Sequence, residues 1–95
     1  MYSKVYRITC DLGKAEGLMA HYDSVLTPAI NNSEHHAGHQ MIEIEAVEWL
    51  LISNYHSKRA AEASVPMVGG LVKPMVEQFG MTLELINEGE VVRTI

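Results

Sequence analysis

The chain has 95 residues, of which 47% are hydrophobic and 20% are charged, and its net charge at pH 7 is -5. This length fits a single domain over residues 1–95 with one hydrophobic core, and the composition excludes a disordered chain or a coiled coil. The seven Lys and Arg residues are scattered, which argues against nucleic-acid binding because phosphate neutralisation needs clustered cations.

The cysteine content and the hydrophobic runs indicate the compartment. Cys10 is the only cysteine, so no internal disulfide is expected. The N-terminus lacks the basic-then-apolar form of a signal peptide, and no apolar run approaches the roughly 20 residues of a membrane helix. We therefore expect a cytoplasmic protein without a membrane partner.

The first half of the chain predicts a strand, a helix and a second strand. Residues 4–10 are rich in β-branched and aromatic side chains, which favour a strand. From Ala15 to Ile30 apolar residues recur at steps of three and four, which predicts a helix that Pro28 kinks or ends. A polar loop follows, and the alternation in residues 40–45 predicts a half-buried strand.

The second half repeats this order. Residues 49–55 predict a strand that is apolar on both faces, after a short hairpin turn. Ser57 can cap a short helix, and a longer helix with an apolar stripe runs from Pro66 to a C-terminal cap at Gly80. Residues 81–86 predict a fourth strand, followed by a turn at 87–89 and an extended end.

The predicted fold is therefore an α+β, ferredoxin-like βαββαβ domain, with an antiparallel sheet and two helices on one face. The alternation in the second strand suggests that the helices cover Ile42, Ile44, Leu50 and Ile52. The other face would then expose Met41, Trp49, Leu51 and Tyr55. A patch of this size is unusual on a monomer, so we expect a homodimer through the bare faces.

The segment from Tyr55 to Ser64 resembles the strand-to-helix signature of the antibiotic-biosynthesis-monooxygenase-like family in the dimeric α+β barrel superfamily. That signature has an aromatic residue, then Glu-Ser, then a helix that ends in His. Here His56 stands where Glu is usual, and Ser64 stands where the helix histidine is usual. The resemblance implies a pocket between each sheet and its helices or in the barrel interior.

Members of the family include cofactor-free quinone-forming oxygenases, haem degraders, isomerases and proteins without an assigned activity. The haem-degrading branch needs an axial histidine on the second helix, which is missing from this sequence. We therefore expect no cofactor. The resemblance implies either a cofactor-free oxygenase or isomerase on a small aromatic or polyketide-like substrate, or a non-catalytic module that binds a small molecule.

Three histidines, His35, His36 and His39, lie within five positions and suggest a metal site, since imidazole is a common metal ligand. Their spacing is unfavourable, because His36 and His39 would point to opposite faces of a strand. A solvated loop with one inward histidine is the more common arrangement. We therefore expect no metal.

His39 is the candidate catalytic residue, as a general base for a phenol or enol. It would share a sheet face with Met41 and Glu43, and Trp49 and Tyr55 would line an aromatic pocket beside it. A purely structural histidine is the competing interpretation.

Two further positions complete the candidate substrate site. His21 lies at the edge of the first helix's apolar stripe, where a pocket mouth and plain solvent are both compatible with the pattern. Arg7 could share a sheet face with Glu43, either to anchor the substrate or to form an ion pair at the dimer interface, and we favour the ion pair.

Overall fold

The computed structural model describes all 95 residues and contains one four-stranded antiparallel sheet in the order β2-β3-β1-β4. The strands are β1 (Tyr2–Thr9), β2 (His36–Glu45), β3 (Glu48–Tyr55) and β4 (Thr82–Glu90). The helices are α1 (Ala15–His21), α2 (Thr27–Asn31), α3 (Lys58–Ala63) and α4 (Val65–Phe79). Because the helices pack on one face of the sheet, the ferredoxin-like α+β prediction is confirmed. No helix is long and apolar enough to cross a membrane.

The first predicted helix is widened in its middle. A π-helical turn, Tyr22–Leu26, joins α1 to α2 without a break, and Pro28 lies in the first turn of α2, directly after the π-helical turn. The apolar stripe packs Leu18, Leu26 and Ile30 against the sheet. The helical segment therefore continues past Pro28 to Asn31.

The predicted caps of the second helical region are confirmed, whereas α4 begins at Val65, one residue before the predicted start at Pro66. The Ser57 hydroxyl accepts a hydrogen bond from the backbone N–H of Ala60 at 3.0 Å, which caps α3. Helix α4 has Pro66 in its first turn and ends at Gly80, whose φ of +62° lies in the left-handed region.

Two predicted strand limits are wrong because bulges extend the strands. Strand β2 begins at His36 and not at residue 40, since a bulge around Ala37 keeps the early residues in register with β3. Strand β4 continues through the predicted turn at 87–89, because a bulge at Ile86 restores its pairing with β1. A bulge absorbs one extra residue without ending the ladder.

The prediction of which sheet face the helices cover is also wrong. Trp49, Leu51 and Tyr55 are 3%, 6% and 1% exposed under the helices. Ile42 and Ile44, on the bare face, are 45% and 52% exposed. Strand β3 has apolar residues on both faces, so its own sequence does not determine which face the helices cover. The helices cover the face with the bulky Trp49 and Tyr55.

The C-terminal cap of α4 gives a test of the fold. A Cβ on Gly80 would overlap the Asp11 carboxylate, and the positive φ of Gly80 is strained for residues that carry a Cβ. We expect Gly80→Ala to lower the free energy of unfolding by about 1–3 kcal/mol in denaturant titrations. The matched control Gly70→Ala, which meets nothing within 4 Å inside α4, should raise it by about 0.5–1 kcal/mol. Equal effects would contradict this account of the cap.

Candidate functional site

A small apolar cavity lies between the sheet and the helices. Its volume is about 40 Å³, and 13 of its 15 lining residues are hydrophobic. The two exceptions are His39 from β2 and Ser53 from β3. Apart from the hydroxyl groups of the lining tyrosines, the polar groups of the cavity therefore come from two neighbouring strands.

A wider groove of about 340 Å³ adjoins this cavity between α4 and the β1–β4 side of the sheet. The groove and the cavity share five lining residues, namely Tyr6, Tyr55, Val68, Val72 and Leu83. Gly69 leaves the groove open, because a Cβ there would meet nothing within 4 Å. The groove and the cavity are therefore neighbours separated by these shared side chains.

His39 is held by hydrogen bonds at both ring nitrogens. It lies directly opposite Ser53 in the β2–β3 ladder, and Nε2 is 2.8 Å from the Ser53 hydroxyl oxygen. Nδ1 is hydrogen-bonded to the hydroxyl of Tyr22, from the π-helical turn. The imidazole is therefore fixed between a strand and the first helical segment.

Burial keeps this group of side chains neutral. It lowers the pKa of His39 to about 4, with a smaller contribution from nearby His36. Burial, with a smaller contribution from the charge of Asp23, also raises the pKa of Tyr22 to about 12. At pH 7 the imidazole and the phenol are thus both uncharged.

His36 lies beside His39 and not on the opposite face, which corrects the prediction. The ring centroids are 5.5 Å apart, and the His36 ring also lies 4.7 Å from that of Tyr55. The bulge around Ala37 adds one residue between the two histidines. His36 and His39 therefore point to the same face of the sheet, although they are three positions apart in the sequence. His36 Nδ1 is 2.8 Å from the Ser33 hydroxyl, whereas its buried Nε2 has no partner.

The histidines do not form a metal centre in the structure. No group of three or more His, Cys, Asp or Glu side chains is arranged to hold a metal ion. His35 lies 3.8 Å from Glu34, away from the cavity, and His39 uses both nitrogens in hydrogen bonds.

Of the residues predicted to form the substrate site, the structure brings only His39 and Tyr55 to the cavity. Trp49 is buried in the core, Met41 packs against the same core, and His21 stacks edge-on against Phe79 at 5.6 Å. None of these three lines a cavity.

Arg7 and Glu43 lie on opposite faces of the sheet, so their predicted pairing is wrong. Arg7 is opposite Leu50 on the bare face, whereas Glu43 is opposite Trp49. Arg7 instead binds Glu48 with two hydrogen bonds of 3.0 and 3.1 Å. These hydrogen bonds lower the pKa of the Glu48 carboxyl. The register across β3 is the physical reason, because Trp49 and Leu50 are consecutive residues of that strand and point to opposite faces.

Three polar residues of the site, namely Tyr22, Ser53 and Tyr6, are not among the predicted site residues. Tyr22 falls within the apolar stripe predicted between Ala15 and Ile30, so the spacing indicates only a packing role for it. Ser53 is a polar residue at a buried position of an otherwise apolar strand face, and that pattern was a usable signal. Burial and the neighbouring Tyr55 hydroxyl raise the pKa of Tyr6, which keeps it a neutral hydrogen-bonding group.

Haem, which the resemblance associates with one branch of the family, does not fit these residues. Neither α3 nor α4 contains a histidine, and Ser64, at the predicted position, is 1% exposed and donates to the Ala61 carbonyl at 2.7 Å. The one imidazole in the cavity has no free nitrogen, and the enclosed volume is about 40 Å³.

Comparison with known proteins gives matches of structure but not of sequence. No protein-family model and no curated protein matches the sequence. A solved structure from Deinococcus radiodurans, provisionally assigned as an antibiotic biosynthesis monooxygenase, matches with a TM-score of 0.79 at 12% identity, over 100% of this chain and 96% of that one.

Two other solved structures are similar over nearly their whole length. A dimeric ferredoxin-like protein from an uncultured marine organism has a TM-score of 0.70 at 15% identity, covering 100% of this chain and 98% of that one. The haem degrader MhuD from Mycobacterium tuberculosis has a TM-score of 0.66 at 18% identity, covering 100% and 99%. The chain thus has the ferredoxin-like fold of the antibiotic-biosynthesis-monooxygenase-like proteins, as the segment from Tyr55 to Ser64 indicated.

Proposed function

We propose that the chain binds a small aromatic or polyketide-like molecule between its sheet and helices and acts on it, without a cofactor, as an oxygenase or isomerase. The observation that supports this is the apolar cavity with one neutral, buried imidazole in its lining. An apolar pocket with a few convergent polar groups is the usual form of a small-molecule site, and the adjoining groove of about 340 Å³ supplies the volume that the cavity of about 40 Å³ lacks.

His39 would accept the first proton, from an acidic O–H or C–H bond of the ligand. The resulting phenolate or enolate has electron density on carbon as well as on oxygen. In the oxygenase, dioxygen adds at that carbon, and loss of water from the hydroperoxide leaves a carbonyl group. In the isomerase, the proton returns to a different atom of the same anion.

A non-catalytic binding module is the second candidate. Two observations favour it: the cavity at His39 is only about 40 Å³, and both ring nitrogens already have partners. In that case the groove would hold the ligand, and His39, which does not line the groove, would have a structural role. Turnover measurements separate the two candidates.

We also propose that the chain forms a cytoplasmic homodimer through its bare sheet face. This face presents Val5, Ile42, Ile44, Leu50 and Ile52, of which Ile42 and Ile44 are about half exposed. The Arg7–Glu48 ion pair lies on the same face. An apolar patch with a charged rim is typical of an interface between protein chains.

The groove can be tested with two neighbouring glycines of α4. Gly69→Leu places a side chain in the groove, whereas Gly70→Leu lies outside every cavity and gains the same helix propensity. With a panel of hydroquinones and flavonoid-like phenols, titration calorimetry should show at least about tenfold weaker binding for Gly69→Leu and unchanged binding for Gly70→Leu. Equal affinities would exclude the groove as the binding site.

His39→Gln tests catalysis with the same panel, because glutamine keeps a donor and an acceptor but cannot serve as a base. We expect oxygen uptake or substrate isomerisation to fall by about 10²-fold or more, with little change in binding. Binding without turnover in the wild type would instead support the non-catalytic module.

The dimer interface can be tested by light scattering. Ile44→Glu introduces a charge into the apolar face and should shift the protein from twice its 10.6 kDa chain mass to a monomer at micromolar concentration. Leu12→Glu, at a loop residue that is 86% exposed, is the matched control and should remain dimeric. A monomeric wild type would rule out this interface.

The depressed pKa of His39 predicts a pH dependence of stability. Between pH 6.5 and about 4 the unfolded chain binds a proton at this histidine and the folded chain does not. The free energy of unfolding should therefore decrease as the pH falls through this window, by up to about 3 kcal/mol at its lower end. Denaturant titrations of His39→Gln should show a smaller decrease, and identical slopes would contradict this origin.

A further inference from the structure

A second cleft reaches His39 from the outside of the molecule. Its volume is about 140 Å³, and it is lined by Tyr22, Thr27, Ile30, Asn31 and His39. Tyr22, Ile30 and His39 also line the inner cavity. These three side chains therefore form the wall between the inner cavity and the outer cleft.

The hydrogen bonds of His39 cross this wall. Ser53, which is bonded to Nε2, lines the inner cavity but not the outer cleft. Tyr22, which is bonded to Nδ1, lines both. The sequence of groups from inside to outside is thus a serine hydroxyl, an imidazole and a phenol.

This chain of hydrogen bonds has only two possible directions. A neutral imidazole donates at one nitrogen and accepts at the other. Either Ser53 donates to Nε2 while Nδ1–H donates to Tyr22, or Tyr22 donates to Nδ1 while Nε2–H donates to Ser53. Changing from the first arrangement to the second shifts one proton along each link, which transfers a net proton outward.

We propose that Ser53, His39 and Tyr22 form a proton relay that carries the proton of a bound hydroxyl compound from the inner cavity to water in the outer cleft. The proposal rests on the proposed function and changes the role of His39 from a base that stores the proton to one that transmits it. It makes Ser53 the residue that contacts the ligand and Tyr22 the outer end of the relay.

The transfer conserves protons and charge. The ligand O–H gives its proton to the Ser53 oxygen, and the Ser53 proton moves to Nε2. The Nδ1 proton moves to the Tyr22 oxygen, and the Tyr22 proton leaves to a water or buffer base in the cleft. The ligand becomes an anion that accepts a hydrogen bond from Ser53, and His39 has changed tautomer without gaining charge.

The electrostatics of the site agree with a relay. A base that stored the proton would leave a buried imidazolium, which the lowered pKa of His39 makes costly. The raised pKa of Tyr22 likewise opposes a stored phenolate. A concerted shift avoids both charged forms. The π-helical turn begins at Tyr22, and such turns are frequent at functional sites.

The relay can be measured without a substrate. In the full-length, ¹⁵N-labelled protein at pH 7, NMR reports the tautomer of His39 and the exchange of its ring N–H proton with water. We expect Tyr22→Phe to slow this exchange by about tenfold or more, because the outer end of the relay is lost. Tyr2→Phe is the matched control: it removes a hydroxyl that is bonded to Glu88, outside the relay, and should exchange at the wild-type rate.

Ser53→Ala separates the relay from a structural role. It removes the inner hydroxyl that supplies a proton to Nε2, so the concerted shift should stop and the exchange of the His39 proton should slow by about tenfold or more, as in Tyr22→Phe. An unchanged exchange rate in Ser53→Ala would overturn the relay. If Tyr22 only positions the ring, Tyr22→Phe will shift the His39 resonances without slowing exchange, and the relay is overturned.

Turnover then distinguishes failure of the relay from failure of the proposed function. For any phenol of the panel that is oxidised, Tyr22→Phe should lower kcat by about tenfold or more at an unchanged KM, whereas Ser53→Ala should also raise KM. Oxidation at the wild-type kcat in Tyr22→Phe, with unchanged exchange, would overturn the relay and leave the function standing. Tyr22-dependent exchange without turnover of any phenol would overturn the function and leave the relay standing.

Discussion

The bulge at the start of β2 is the constraint on which the site depends. It places one extra residue, Ala37, against β3, and Gly38 adopts a φ of +139° that other residues rarely adopt. A shift of one residue in a strand moves each later side chain to the other face. If the bulge were absent and His36 kept its position, the side chain of His39 would lie on the bare face, away from Ser53 and Tyr22.

Burial then determines what this imidazole can do. Ser53 is 1% exposed and is one of two hydroxyl-bearing side chains, with Tyr55, that β3 places under the helices, so it needs a hydrogen-bond partner. His39 is that partner, and Tyr22 uses the remaining nitrogen. The three side chains satisfy one another's hydrogen-bonding groups while remaining neutral. The core is therefore polar at this point but does not hold a charge there.

The sequence predicted the fold well because its signals are local. Caps at Ser57 and Gly80 and the apolar stripes of two helices depend on neighbouring residues, and the structure confirms them. Neither the covered face nor the site could be predicted in the same way. Ile42 and Ile44 alternate as a buried face does, and periodicity cannot distinguish a face covered by helices from one left bare. Strand periodicity also does not reveal a bulge.

The matches at 10–18% identity establish the fold and leave the chemistry to be argued from this chain's own residues. Here the helix position that the family resemblance associates with histidine is occupied by Ser64, and the imidazole of the cavity comes from β2. The position of His39 depends on a bulge, on a partner across the ladder and on a widened helical turn, so the site is a product of the backbone as much as of its side chains.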